Sequence, residues 1–184
     1  MFRWLMRRGL AAFERKWNYD ASYVHEMIEA DPRAGWMFQR ATSLGKYRKD
    51  VPVDALAAAA ITAVRHEDCG PCTQLGVGFA LRAGIPSATI AAVVEGDVSA
   101  MSAEVALGVR FARAVLARDA AADEHREEIL RRWGPRALLA LSFSMMAAQL
   151  YPALKYALGH GKACTRVVIA GQAVSPRHLA TEAA

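Results

Sequence analysis

Residues 54–66 of the chain, DALAAAAITAVRH, restrict its fold more than any other segment. Alanine has the highest helix propensity, and the run lacks the alternation of apolar and polar residues that marks a half-buried strand. Pro52 and Asp54 stand where such a helix would begin. We therefore predict a helix that leads directly into the tetrapeptide Cys69-Gly-Pro-Cys72.

The same helical punctuation recurs along the chain. Serine, aspartate or proline precedes apolar runs of helical period, and glycine follows them. Only Val167-Val168-Ile169 has β character, and we predict that it is too short and too terminal to build a sheet. The prediction is an all-α fold. Its helices are expected at residues 20–30, 34–44, 54–66, 69–84, 87–95, 102–116, 123–133 and 137–158, with Asp20, Ser87 and Ser102 as N-caps and a break at Gly134-Pro135.

Composition describes a folded protein that a single domain can accommodate. Of 184 residues, 54% are hydrophobic and 22% are charged, which is ordinary for a globular chain. The net charge is +5, and +4 of it lies in residues 1–17, where five basic residues stand against Glu14. Because the remainder is close to neutral, an extended nucleic-acid-binding surface is not expected.

Residues 1–17 are predicted to form a basic amphipathic helix. They lack the long apolar segment and the small-residue cleavage site of a signal peptide. Such a helix could rest on an acidic membrane surface, but docking onto its own domain or a partner subunit is the favoured interpretation. Its apolar face comprises Phe2, Leu5, Met6, Leu10 and Phe13.

The most apolar run of the chain is residues 137–158, which polar residues and a proline interrupt. We predict a buried core helix here rather than a membrane span, and a cytoplasmic protein. Polar residues near the end of this helix are expected on its surface rather than around a pocket. They are Tyr151, Lys155, Tyr156 and His160.

Cys69 and Cys72 are spaced i and i+3 at the predicted start of a helix, which allows a disulfide in a small loop. The free N–H groups and the positive dipole end at that place stabilise a thiolate. Pro71 suits the first helical turn, where no intrahelical bond needs its N–H. The motif predicts reversible dithiol–disulfide chemistry, with His66 and Glu67 as neighbouring proton-transfer groups. We expect Cys72 to point inward and Cys69 to be the more exposed thiol.

The CxxC motif allows three other interpretations. A thioredoxin loop follows a central strand, and the alanine-rich helix before Cys69 argues against that context. The two cysteines could also be purely structural. A zinc site would use His66, Cys69 and Cys72 with a fourth ligand from Glu67, Cys164 or a distant histidine, but the sequence has no second CxxC and no HxxxH. Cys164 is otherwise expected to be inert.

A longer string carries more information than the CxxC alone. Beginning at Cys69, it reads CGPCTQLGVGFALRAGIPSATIAAVVEGDVSAMSAEVALGVRFARAVL. It resembles the alkylhydroperoxidase D-like, carboxymuconolactone decarboxylase superfamily, in which a CxxC opens a helix that ends in Ala-Gly. Ala83-Gly84 reproduces that spacing from Cys72, and Gly96-Asp97 and Arg110-Phe111-Ala112 match later features. The resemblance covers roughly residues 50–160.

This resemblance implies an all-helical protomer that forms a homo-oligomer, with a helical extension (1–49), a helical core (50–170) and a tail (171–184). The peroxidase members use the dithiol to reduce organic hydroperoxides. By their pattern Cys72 would be the attacking thiol and Cys69 the resolving thiol. An external thiol reductant would restore the pair, and no metal or organic cofactor is implied.

Two positions depart from the peroxidase pattern. Those members place a histidine where this chain has Gly76, and a glutamate where it has Ala57. His66 or Glu67, or less favourably Gln74, would then have to move the proton that the chemistry requires. The alternative is a non-catalytic helical oligomer whose dithiol is a redox sensor or a structural latch.

Overall fold

A computed structural model describes residues 2–162 and 167–175, without the side chain of Phe2. Cys164 and residues 176–184 of the predicted tail lie outside the described residues. The described part is helical apart from one short hairpin, which confirms the all-α prediction. The helices are α1 (Phe2–Trp17), α2 (Ser22–Ala30), α3 (Pro32–Thr42), α4 (Val53–His66), α5 (Gly70–Arg82), α6 (Ser87–Glu95), α7 (Ala103–Ala117) and α8 (Ala121–Ala157), with 3-10 turns at Ser43–Lys46 and Val98–Ala100.

The alanine-rich helix α4 is the centre of the molecule. It contacts α5, α6, α7 and α8, and nine of its fourteen residues are buried, as expected for a helix that is apolar on most of its circumference. Its small side chains let α7 approach closely. A Cβ built on Gly108 of α7 would lie only 2.6 Å from the carbonyl oxygen of Ala55.

Most predicted helix ends are confirmed. The Ser102 hydroxyl caps α7 by accepting a hydrogen bond from Val105 N. The prediction that Asp20 is the N-cap of α2 is wrong, since Ala21 occupies that position without a side-chain cap. Asp20 stands one residue earlier, where its carboxylate accepts a hydrogen bond from Ser22 N at 3.0 Å. The prediction that Ser87 caps α6 is wrong, since Pro86 occupies the N-cap position and makes no side-chain cap. Ser87 is already the first helical residue, so its hydroxyl lies past the place from which a cap reaches the free N–H groups.

Helix α8 is broken at Gly134, where φ is 79° and ψ is 178°. The break separates a charged segment from an apolar one, as predicted from Gly134-Pro135. By length and composition alone α8 could cross a membrane, a test that core helices also pass. Its apolar segment buries Ala140, Leu141 and Met145 in a core that it shares with α4 and α7.

The prediction that Val167-Val168-Ile169 builds no sheet is wrong. β1 (Val167–Ile169) pairs antiparallel with β2 (Gln172–Val174). The turn residues Ala170 and Gly171 both have positive φ, 48° and 84°, as a two-residue hairpin turn requires. Tertiary packing supplies the rest, because Val167, Ile169 and Val174 join the core formed by α4 to α7. β2 falls within the segment that the sequence assigns to the tail.

Helix α1 docks on its own chain, in agreement with the favoured interpretation. The rings of Trp17 and Phe79 of α5 meet edge to face, with centroids 4.5 Å apart, and Phe13 packs beside them. The predicted apolar face is only partly used, since Leu5 remains 54% exposed. The extension also touches α8, since a Cβ built on Gly45 would lie 3.1 Å from Ala147 Cβ.

Candidate dithiol site

The turn between α4 and α5 places the two cysteines. Helix α4 ends at His66, and Asp68 adopts a left-handed φ of 49° that turns the chain toward α5. Cys69 is the N-cap residue of α5, and Cys72 is its third helical residue. The two are joined as a disulfide, with Cα atoms 5.3 Å apart. The predicted position of the pair at a helix start is therefore confirmed.

Both cysteines are buried, and the expectation that Cys69 is the more exposed is wrong. The exposed fraction is 0% for Cys69 and 6% for Cys72. Val64 packs on the pair together with Ala148 and Tyr151 of α8, so the N-cap side chain is covered. The segment after α8 also crosses the start of α5, because Lys162 O accepts a hydrogen bond from Gly70 N.

A buried polar group from the N-terminal extension reaches the disulfide. The hydroxyl oxygen of Tyr19, which follows α1, lies 3.9 Å from Cys72 Sγ. The ammonium of Lys155 on α8 donates a hydrogen bond to that same oxygen at 3.3 Å. The Tyr23 hydroxyl lies 3.4 Å away. Side chains from the α1–α2 connection, α2 and α8 thus form one hydrogen-bonded cluster, and its Tyr19 hydroxyl contacts Cys72.

The chemistry of the groups fixes the direction of these hydrogen bonds. A disulfide sulfur carries no hydrogen, so Tyr19 donates to Cys72 Sγ. The two lone pairs of the Tyr19 oxygen then accept from Lys155 and from Tyr23. All three polar atoms are satisfied in this arrangement, which removes most of the cost of burying them.

Burial also shifts the protonation of this cluster. Desolvation raises the pKa of Tyr19, Tyr23 and Tyr151. Desolvation lowers the pKa of Lys155, and the nearby carboxylate of Asp20 partly opposes that change. A lysine with a lowered pKa releases its proton more readily than an exposed one, and the tyrosine hydroxyl between it and the sulfur can pass that proton on.

We expect the protein to lose stability above the ordinary tyrosine pKa of 10.0. Unfolded tyrosines release their protons there, whereas the raised pKa values keep the protons on Tyr19, Tyr23 and Tyr151 in the folded state. Each retained proton lowers the free energy of unfolding by about 1.4 kcal/mol per pH unit. Urea unfolding at a series of alkaline pH values measures the slope. Tyr23→Phe should make it shallower, and an unchanged slope would contradict the assignment.

The residues predicted as proton-transfer groups lie just before the pair, His66 at the end of α4 and Glu67 on the turn that follows. His66 is exposed. Glu67 is partly buried, and its carboxylate accepts a hydrogen bond from Gln149 Nε2 at 2.7 Å. Gln74 is engaged elsewhere, since its amide both donates to Val168 O and accepts from Val168 N. That bidentate contact ties the hairpin to α5.

The two departures from the peroxidase pattern lie in apolar surroundings. A Cβ on Gly76 would sit 3.4 Å from Ile61 Cγ1 of α4. Ala57, one turn before Ile61, packs against the same core. The polar groups near Cys72 come instead from Tyr19 and Lys155.

Sequence reasoning missed this cluster. Lys155 was predicted on the helix surface, but its exposed fraction is 3%, and Tyr151 is partly buried against the disulfide. Of the same set, Tyr156 is indeed exposed. The available signal was that Lys155 is the one charged residue in the apolar run 137–158, because a buried charge must either reach solvent or find partners.

Among the described residues, no three histidine, cysteine or acidic side chains converge as a metal site. The alternative zinc ligand set also loses both thiolates to the disulfide in this structure. Comparisons of the chain with protein-family models, curated proteins and solved structures found no match. The resemblance to the alkylhydroperoxidase D-like superfamily therefore stays a prediction.

Proposed function

We propose that this protein is a dithiol oxidoreductase of the alkylhydroperoxidase D-like type that reduces organic hydroperoxides. The observation that carries the proposal is the Tyr19 hydroxyl 3.9 Å from Cys72 Sγ, itself hydrogen-bonded by Lys155. A CxxC at a helix start supplies the redox pair. The Tyr19–Lys155 pair supplies the proton transfer that Gly76 and Ala57 do not.

The reaction begins with the reduced pair. The Cys72 thiolate attacks the distal oxygen of the hydroperoxide, the O–O bond breaks, and the products are a Cys72 sulfenic acid and an alkoxide that leaves as the alcohol. The Cys69 thiol then condenses with the sulfenic acid, which forms the disulfide and releases water. An external dithiol reduces the disulfide and is itself oxidised.

Tyr19 and Lys155 have two tasks in this sequence. Hydrogen bonding from Tyr19 and the dipole of α5 stabilise the Cys72 thiolate before attack. When the alkoxide leaves, Tyr19 donates its proton to the alkoxide and takes a replacement from the Lys155 ammonium. The hydrogen bond from Lys155 to the Tyr19 oxygen already has the orientation that this transfer needs.

The proposal extends to the setting of the protein. A CxxC pair without further disulfide framework is typical of redox chemistry in a reducing compartment, so we assign the protein to the cytoplasm. The superfamily resemblance further implies a homo-oligomer. Size-exclusion chromatography with light scattering measures that assembly directly.

Hydroperoxide consumption with a dithiol reductant tests the proposed activity. We expect turnover of cumene hydroperoxide by the wild type and by Cys164→Ser, whose thiol is outside the proposed chemistry. Cys72→Ser should reduce turnover to the buffer rate. If the wild-type disulfide forms and is reduced while hydroperoxide loss stays at the buffer rate, the enzyme proposal fails.

A second candidate function rests on the burial of the pair. With exposed fractions of 0% and 6%, neither sulfur meets a reductant unless the covering side chains move. That property suits a dithiol that acts as a redox sensor or structural latch. Oxidation would then change stability or assembly without catalytic turnover, which unfolding and light-scattering measurements on both redox forms would detect.

A further inference from the structure

The N-terminal extension carries the entire net charge of the protein. Residues 1–49 contain ten lysines and arginines against five acidic residues, whereas the rest of the chain contains thirteen of each. Glu29 pairs with Arg3 and Arg7. Basic residues outside those pairs still outnumber the acidic ones, so the extension presents a positively charged surface.

The same extension exposes large apolar side chains. The exposed fraction is 58% for Trp4, 54% for Leu5, 47% for Trp36 and 64% for Met37. Docking of α1 onto its own chain uses Phe13 and Trp17 near its C-terminal end and leaves Trp4 and Leu5 uncovered. Large exposed apolar patches with a polar rim mark interaction sites, whereas apolar residues scattered singly on a surface are common.

Each exposed tryptophan is combined with an arginine. The Arg8 guanidinium lies over the Trp4 ring at 5.3 Å, and the Arg40 guanidinium lies over the Trp36 ring at 4.8 Å. In both pairs the arginine follows the tryptophan by one helical turn. Indole rings combined with cationic groups are typical of side chains at the boundary between lipid and water.

The two helices that carry these pairs touch each other. Met6 Cε lies 2.9 Å from the place of a Cβ on Gly35, so α1 and α3 meet at that point. The exposed apolar side chains of both helices, Trp4 and Leu5 on α1 and Trp36 and Met37 on α3, therefore belong to two helices that pack on each other. An open groove of about 600 Å³ lies next to Trp4. Its lining consists of Arg3, Trp4, Arg7, Arg8, Ala11, His25 and Glu29.

We propose that the exposed side chains of the packed helices α1 and α3 form one docking surface for a membrane that contains anionic lipids. The surface comprises Trp4, Leu5, Arg8, Trp36, Met37 and Arg40. The indoles and the neighbouring apolar side chains would enter the headgroup region. The arginines would contact lipid phosphates and carboxylates, and the basic groove beside Trp4 suits a lipid headgroup. The protein then binds reversibly at the lipid surface rather than spanning the bilayer.

Charge favours an anionic lipid surface over a second copy of the chain. A two-fold interface would bring the same surface of both subunits together. Arg8 and Arg40 of one copy would then face those of the other, within extensions that each have a net charge of +5. Like charges placed opposite each other oppose association. An anionic bilayer has the complementary sign, and its attraction weakens with salt.

Vesicle flotation with the full chain tests the proposal. The probes are vesicles of phosphatidylcholine alone and vesicles of phosphatidylcholine mixed with phosphatidylserine. We expect binding to the mixed vesicles only, with a loss at high salt. Trp4→Ala/Arg8→Glu and Trp36→Ala/Arg40→Glu should each weaken partitioning by about tenfold or more. The matched control is Leu130→Ala/Arg131→Glu on α8, which alters an exposed leucine and an exposed arginine with the same charge change and should bind like the wild type.

Several results would overturn the proposal. They are equal binding to both kinds of vesicle, no binding to either, and an equal loss in the control variant. A smaller oligomer for Trp4→Ala/Arg8→Glu without vesicle binding by the wild type would assign the surface to a second copy. Circular dichroism melting checks that each variant is folded. If one double variant does not fold, the other, together with the salt dependence of the wild type, still decides the question.

Discussion

Tyr19→Phe is expected to lower kcat/KM for an organic hydroperoxide about a hundredfold. General acid–base groups contribute roughly 10²–10⁴-fold to rates, and the Tyr19 hydroxyl lies 3.9 Å from Cys72 Sγ. Phenylalanine keeps the ring, and with it the edge-to-face packing on Phe13 at 6.0 Å. The substitution therefore removes the proton path while most of the local packing remains.

Initial rates with a saturating dithiol reductant measure this effect. The matched control is Tyr47→Phe, a tyrosine whose ring packs on Phe143 in another part of the core. We expect that control to keep the wild-type rate. A Tyr19→Phe variant that is folded and as active as the control would remove Tyr19 from the mechanism and leave the redox pair without its proposed relay.

The pH dependence separates the roles of Tyr19 and Lys155. Lys155 donates a proton only while it is charged, so activity should fall as the pH rises through its pKa, which burial lowers from 10.5. In Lys155→Met the activity should be lower at every pH, and it should no longer decline at alkaline pH. An unchanged alkaline limb in Lys155→Met would show that another group limits the reaction.

Local signals made most of the helical fold predictable. The alanine run of α4 and the Ser102 cap of α7 depend on neighbours within one or two turns, and the structure confirms both. The Val167–Ile169 hairpin was missed because its stability comes from packing of Val167 and Val174 against a distant core. A three-residue sequence pattern gives no information about that long-range contact.

The candidate site also has one part that local sequence signals predict and another that they do not. The place of Cys69 and Cys72 at a helix start was predictable, since Pro71 and the preceding alanine run are adjacent in the sequence. Their burial and their polar partners were not. Tyr19 is 53 residues from Cys72, and Lys155 is 136 residues from Tyr19, so only the packing of the extension and α8 on α5 brings the three together.

Helices α4 and α7 cross so closely at Gly108 that the addition of a single methyl group there should lower the free energy of unfolding. A Cβ at Gly108 would lie 2.6 Å from Ala55 O and 3.3 Å from Ala55 Cα. These are backbone atoms of the central helix, so no side chain can move aside. Gly108→Ala must push the two helices apart, and overpacking of this kind costs about 1–3 kcal/mol. Because the gain in helix propensity offsets about 1 kcal/mol of that cost, we expect a net loss of up to about 2 kcal/mol in the free energy of unfolding.

Gly9→Ala is the matched control for that substitution. Gly9 is also helical, but nothing lies within 4 Å of its built Cβ, so the propensity gain should appear alone as a stabilisation of about 1 kcal/mol. Urea unfolding of the two variants should give midpoints shifted in opposite directions, with unchanged slopes. Because Val64 of α4 packs on the disulfide, displacement of α4 should also loosen the dithiol site and speed its reduction. Stabilisation of both variants would mean that α4 and α7 do not cross at the distance described.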